Sequence, residues 1–292
     1  MDILNKEAWD QKALIKAGAL SVSELMQETL ARIELVNPKV NALVNFLSKE
    51  ACENLTSAEY PLEGALGGMP MAIKDLANVK GFKTTEGSPL YSERVARKDD
   101  QMVARLRAAG ALFIGKTNTP EFGLGSNTFN PVYGKTRNPY DLTRTCGGSS
   151  GGAAVALATR MLSISDGSDM MGSLRNPAAW NNVYGLRPTW GLVPPEPSGE
   201  IFLSQLSTLG PMARSPKDLA LLLDVQANHF DNKSYVAQSK SFSNFTAQPR
   251  MKNIKIGWLG DWGGTLTFED ELLDLAQNAL NEMSSLGATI HD

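Results

Sequence analysis

The sequence predicts an α/β fold, a mixed, twisted β-sheet covered by helices on both faces. Two observations carry that prediction. From about residue 70 onward, short apolar runs alternate with longer amphipathic ones, the pattern of strands feeding helices. The composition is that of a globular chain: 42% of the 292 residues are hydrophobic and 20% charged, enough to bury a sizeable core in one large domain or two small ones. No internal repeat or low-complexity tract interrupts the alternation.

The first sixty residues read as helices. Ser21 and Glu24 form a capping box, and Leu25, Thr29, Ile33 and Leu35 keep one face mostly apolar up to Pro38. A second helix is predicted over 40–55. Pro61 with Gly64, Gly67 and Gly68 closes this region, so 1–60 reads as an N-terminal helical layer and 61–292 as the α/β core. Within the core, strands are predicted at 71–73, 111–114, 161–164 and 254–258. Helices are predicted at 101–109, 153–160, 215–227 and 268–286. Pro216 sits at a first helical position, where its missing N–H costs nothing. A last strand opens at 287–290, where the chain stops. Domain boundaries belong in exposed linkers, so the core is expected to be incomplete on its C-terminal side.

Charge and rare residues narrow the function. A net charge of −3 draws the chain toward neither nucleic acid nor anionic lipid. Its two cysteines and two histidines make no metal ligand set, and no cofactor is expected. The N-terminus has no signal-peptide pattern and no apolar run is long enough for a membrane span, so the cytoplasm is the expected location.

Two motif matches are set aside. Gly110 to Thr117 fits the P-loop letter for letter, but its variable positions form an apolar strand and a helix precedes it. Gly147-Gly148-Ser149-Ser150-Gly151 fits a nucleophile elbow. The segment before it is polar and proline-marked, however, and the histidine this chemistry needs is missing: His229 reads as a solvated residue and His291 is next to last. The glycines are in the wrong order for a dinucleotide fingerprint. Four glycines around two serines at a helix start still present hydroxyls and backbone N–H groups on a tight turn.

With so little histidine, a serine nucleophile needs another base, and lysine is adequate once desolvated. The candidates are Lys74, Ser149 and Ser173. Lysine at its reference pKa of about 10.4 is protonated, so it must be kept dry and away from a carboxylate. If Lys74 lies on a strand, the adjacent Asp75 points to the opposite face.

Six ordered blocks then carry a resemblance. They are Gly68-Met-Pro-Met-Ala-Ile-Lys74-Asp75, Gly115-Lys-Thr-Asn118-Thr-Pro-Glu121, Gly147-Gly-Ser149-Ser150-Gly-Gly, Ser168-Asp169-Met170-Met171-Gly172-Ser173-Leu-Arg175, Gly185-Leu-Arg187-Pro188 and Leu209-Gly-Pro211-Met-Ala-Arg214. In order and spacing they resemble the amidase signature family, from the N-terminal helices to the end of the chain. The resemblance implies that Ser173 is the nucleophile, Ser149 a bridging serine on a cis peptide bond, and Lys74 the base. It implies backbone N–H groups of Met170, Met171 and Gly172 as an oxyanion hole. Ser150, Asn118, Asp169 and Arg175 are implied in support, the last two paired to brace the turn. Trp180 and Trp190 read as packing residues.

Family members are usually longer and carry Thr-Gly-Gly-Ser where this chain has Met170-Met171-Gly172-Ser173, and often an acidic residue where it has Ser207. Two methionines beside the reacting carbon suggest an apolar acyl pocket. The expected activity is therefore hydrolysis of a small aliphatic or aryl amide, linear or cyclic, through an acyl-enzyme that releases ammonia or an amine. The expected partner is that small molecule, with no nucleic acid or membrane, and the homodimer remains open. Two alternatives stand beside it: the glutamine-hydrolysing subunit of a tRNA-dependent amidotransferase, and an inactive scaffold.

Overall fold

The computed structural model describes residues 2–57, 62–196, 205–227, 241–243 and 251–291. Pro61 and His229 lie outside them. The chain separates into two compact units, 1–243 and 244–292.

In the first unit, a helix α1 (Ala8–Lys16) leads to α2 (Val22–Val40), which starts on the predicted capping box: Ser21 N–H donates to Glu24 Oε2 at 2.8 Å and Glu24 N–H to Ser21 Oγ at 3.1 Å. Helix α2 runs through Pro38 and stops at Asn41, whose φ of 53° is left-handed. The helix expected over 40–55 is therefore replaced by strand β1 (Leu43–Val44) and helix α3 (Lys49–Ser57). Asn37 explains the break, because its Oδ1 accepts the N–H groups of both Ala42 and Leu43 at 2.9 Å.

Strand β2 (Pro70–Lys74), helix α4 (Gln101–Ala108) and strand β3 (Leu112–Thr117) follow. β3 pairs parallel with β2 and antiparallel with β1. It runs three residues past its predicted end because the interior satisfies Lys116: the buried ammonium donates to the Ala77 carbonyl and lies 3.8 Å from Asp75 Oδ1. A strand through the P-loop lookalike leaves no phosphate cradle there. A small hairpin, β4 (Phe129–Asn130) with β5 (Gly134–Lys135), precedes helix α5 (Gly151–Ala158). Strand β6 (Ile164–Asp169), short helix α6 (Arg175–Trp180), β7 (Tyr184–Gly185), β8 (Thr208–Ala213) and α7 (Pro216–Ala227) complete the unit. β8 lies antiparallel between β6 and β7.

The two three-stranded ladders meet where β2 lies beside β6. Side chains bridge this seam, with Lys74 N–H on Asp166 Oδ1 at 3.0 Å and Ser165 Oγ near the Ala72 carbonyl at 3.4 Å. The sheet has a core on each face. Met71, Ile73, Phe113 and Ala213 join α4 and α7 on one side. Ala72, Leu112, Ile114 and Met212 join α2 and α5 on the other. This alternation along each strand is the period of two that the fold prediction rests on. The N-terminal helices contribute to both cores, so residues 2–57 and the sheet share one unit.

The second unit holds β9 (Lys255–Gly257), α8 (Leu272–Ser285) and β10 (Thr289–His291), with β10 parallel to β9. The predicted terminal strand is present. Among the described residues no helix is long and apolar enough to cross a membrane.

Candidate active site

Three chain segments end at one place in the first unit: the C-terminal ends of β2 and β6, and the N-terminus of α5. Lys74 is the last residue of β2. Its side chain is 1% exposed. Its Nζ lies 2.7 Å from Ser149 Oγ, 2.9 Å from Ser150 Oγ and 3.0 Å from Ser168 Oγ. Asp75 points away, as strand alternation requires, and takes Thr85 N–H and Oγ1–H instead. Burial pulls the Lys74 pKa from its ordinary 10.5 to about 7, against the opposing pull of Asp166 and Asp169.

Ser149 and Ser150 sit immediately before α5, and the Gly148–Ser149 peptide bond is cis. The glycines after them are there for space. A Cβ on Gly152 would sit 2.3 Å from Asn118 N, so the helix start and the chain leaving β3 touch backbone to backbone. Asn118 holds that contact: its carbonyl accepts Gly152 N–H at 3.2 Å, while its side chain bonds Thr136, Asn130 and Gly134. The glycine run is thus both a close packing contact and the platform for two hydroxyls.

The Ser173 turn is organised by Asp169, which is fully buried. Its carboxylate accepts N–H bonds from Gly172 at 2.8 Å and Leu174 at 3.1 Å. It also accepts two from the Arg175 side chain, at 3.0 and 3.1 Å. Arg187 Nε stands 3.4 Å away. Burial alone would raise its pKa, but the Arg175 and backbone donors outweigh burial and hold it at about 2. Gly172 has φ +117°, a conformation that favours glycine. Its N–H is engaged by Asp169 at 2.8 Å, so Gly172 shapes the turn. Both methionine side chains are exposed, Met171 by 79%.

The structure joins Lys74 to Ser149 directly. It joins Ser173 to the same cluster through the backbone, the Ser173 carbonyl accepting Ser150 N–H at 3.2 Å. No Ser149–Ser173 side-chain hydrogen bond is present among the described residues. A cavity of about 400 Å³ adjoins Lys74 and Ser168 and is also lined by Asp166, Trp190, Val193 and Glu196. Trp190 therefore faces open space rather than only packing, and Trp180 is half exposed.

Ser168, Asp166 and Arg187 belong to the site, and the sequence pattern does not single them out. A signal for the first two is present: Asp166 and Ser168 are two apart on one strand face, visible once β6 is carried to Asp169. Local pattern ends that strand early because Ser-Asp-Gly-Ser-Asp looks like a loop.

A lysine that titrates at about 7 when folded and at 10.5 when unfolded makes stability depend on pH. Through that window the unfolded chain binds the extra proton, so stability rises with pH. The melting temperature is expected to rise between pH 7 and pH 9. Lys74→Met should keep only the part carried by Lys116, which burial lowers to about 8. A wild-type profile that is flat over this range would mean that Lys74 keeps its ordinary pKa.

Comparison with known proteins agrees with this geometry. The amidase family model matches residues 24–292. The chain is 37% identical over 284 residues to the A subunit of glutamyl-tRNA(Gln) amidotransferase from Syntrophobacter fumaroxidans, covering 95% of this chain and 58% of the relative. It is 40% identical over 253 residues to the corresponding protein of Carboxydothermus hydrogenoformans, covering 83% and 51%. Among solved structures it resembles 6-aminohexanoate cyclic dimer hydrolase complexed with substrate, with a TM-score of 0.89, 30% identity, and coverage of 100% of this chain and 61% of the other. The chain thus spans a little over half the length of the curated relatives it matches.

Proposed function

This chain belongs to the amidase signature family, and from that membership we propose that it hydrolyses a carboxylic amide through an acyl-enzyme on Ser173. The observation that carries the reading is the buried Lys74 amine surrounded by three serine hydroxyls, with Ser149 nearest at 2.7 Å. A neutral amine has two N–H donors and one lone pair. As an ammonium, Nζ donates to all three hydroxyls; once neutral, its lone pair accepts from Ser149 while its N–H groups donate to Ser150 and Ser168.

In acylation, the Ser173 oxygen bonds the carbonyl carbon as its proton passes to Ser149, and the Ser149 proton passes to Lys74. Backbone N–H groups of Met170 and Met171 receive the oxyanion. Collapse breaks the C–N bond, and the proton returns through Ser149 to the leaving amine. Water then enters by the same relay and releases the acid. Asp169, with Arg175, holds the turn, while Ser150 and Asn118 hold the lysine and the helix start.

The two curated relatives named above support glutamine as the amide, ahead of the small organic amide expected from sequence. In that role the chain would act beside partner subunits, handing on the ammonia it releases. A second reading, a linear or cyclic organic amide, is supported by the likeness to 6-aminohexanoate cyclic dimer hydrolase and by the thioethers of Met170 and Met171.

Two measurements test this. A fluorophosphonate probe followed by peptide mass spectrometry should label Ser173; labelling at Ser149 would reverse the two serine roles, and no labelling would favour the scaffold. A hydrolysis screen over glutamine, aliphatic, aryl and cyclic amides, read by the ammonia or the new amine formed, should then single out glutamine. Turnover of cyclic or aryl amides without glutamine would select the second reading.

A further inference from the structure

Resting on the amidase reading, we propose that Asp166 is a positioning residue for the Lys74 base, a buried counter-charge for the ammonium that forms on Nζ during acylation. Asp166 lies in β6, 1% exposed, two residues before Ser168 and on the same strand face. Its Oδ1 accepts the main-chain N–H of Lys74 at 3.0 Å. The carboxylate is thereby fixed to the base residue itself, while Nζ keeps its three hydroxyl neighbours.

Lys116 of β3 also acts on Asp166, while the remaining charges facing this region are committed elsewhere. Asp169, further along β6, is held by Arg175 and faces Arg187. Asp75, just after β2, faces Lys116 of β3 and accepts from Thr85. Asp100, before α4, accepts the backbone and side-chain N–H groups of Asn78. Glu196 pairs with Lys98. Arg94, beyond Lys116, pairs with Glu86.

The chemistry needs such a group. When the Ser149 proton reaches Nζ, a neutral amine becomes a cation at a buried position, where an uncompensated charge is costly. An ionised Asp166 offsets that charge and returns to its starting state when the proton goes back to the leaving amine. No bond to Asp166 forms or breaks. Asp166 is first among the charges that pull the Lys74 pKa back up against burial, and burial raises Asp166 itself to about 6. The acid limb of activity therefore belongs to the pair.

The test is the rate of Ser173 labelling by a fluorophosphonate probe as a function of pH, which needs no knowledge of the substrate. Asp166→Asn keeps the acceptor for Lys74 N–H and removes the charge. The midpoint of the acid limb is expected to move down by on the order of one pH unit. The plateau rate should fall about tenfold, because the neutralised site makes a weaker base. Asp166→Glu, which keeps the charge, should retain a midpoint near wild type. If Asp166→Asn does not fold, Asp166→Ser is read in the same way. An unchanged midpoint in a folded neutral variant overturns the proposal and reduces Asp166 to a structural role, while wild-type labelling leaves the amidase reading standing. Wild-type protein that is not labelled at Ser173 at any pH overturns the amidase reading, and this proposal with it.

Discussion

Alanine at Ser173 is expected to lower amide turnover roughly 10⁴- to 10⁶-fold, the loss seen when a serine hydrolase loses its nucleophile. The fold should survive the change. Ser173 is only partly buried, its contact with Ser150 runs through its own carbonyl, and the turn around it is held by Asp169. The variant should melt within a degree or two of wild type and still bind substrate. Turnover is measured on the amide found by the hydrolysis screen, with labelling as a second readout. A Ser173→Ala protein that keeps a tenth of wild-type turnover would remove the acyl-enzyme from the account.

Arginine at Lys74 is expected to cost roughly 10²- to 10⁴-fold in turnover, the usual worth of general-base catalysis. The argument depends on proton chemistry rather than charge. Under the proposed mechanism Lys74 serves as a base because burial brings its pKa to about 7, so a neutral amine is populated near neutrality. A guanidinium cannot give up its proton, so it preserves the charge and loses the function. Wild-type turnover should rise with pH through about 7, and Lys74→Arg should leave a low, flat profile. Near-normal turnover from the arginine variant would mean that the site needs only a positive charge.

Much of this is legible in the sequence. Lys74, Ser149 and Ser173 are readable because a chain almost without histidine must find its base among lysines, and because the blocks around them stand in a fixed order. The Asp169–Arg175 pair is readable as opposite charges in a mostly uncharged stretch, and it forms. What fails to read is polar sequence in regular structure. β3 continues through Lys116 and β6 through Asp166, because each of these buried charges has a partner far away in sequence. Local pattern cannot supply those partners. Helix α2 passes Pro38 for a related reason: its stop is set by Asn37 and Asn41, whose side chains take over the backbone groups nearby.

The turn after β6 also bears on how such an enzyme could change over generations. Asp169 pins the backbone on either side of Met170 and Met171, while the two thioether side chains point outward. Replacing either methionine changes an outward side chain without disturbing the scaffold beneath. The shape of the turn thus depends on one carboxylate and its donors, and the two outward positions carry little of it. Substitutions at these two positions can therefore accumulate while the turn beneath them keeps its form.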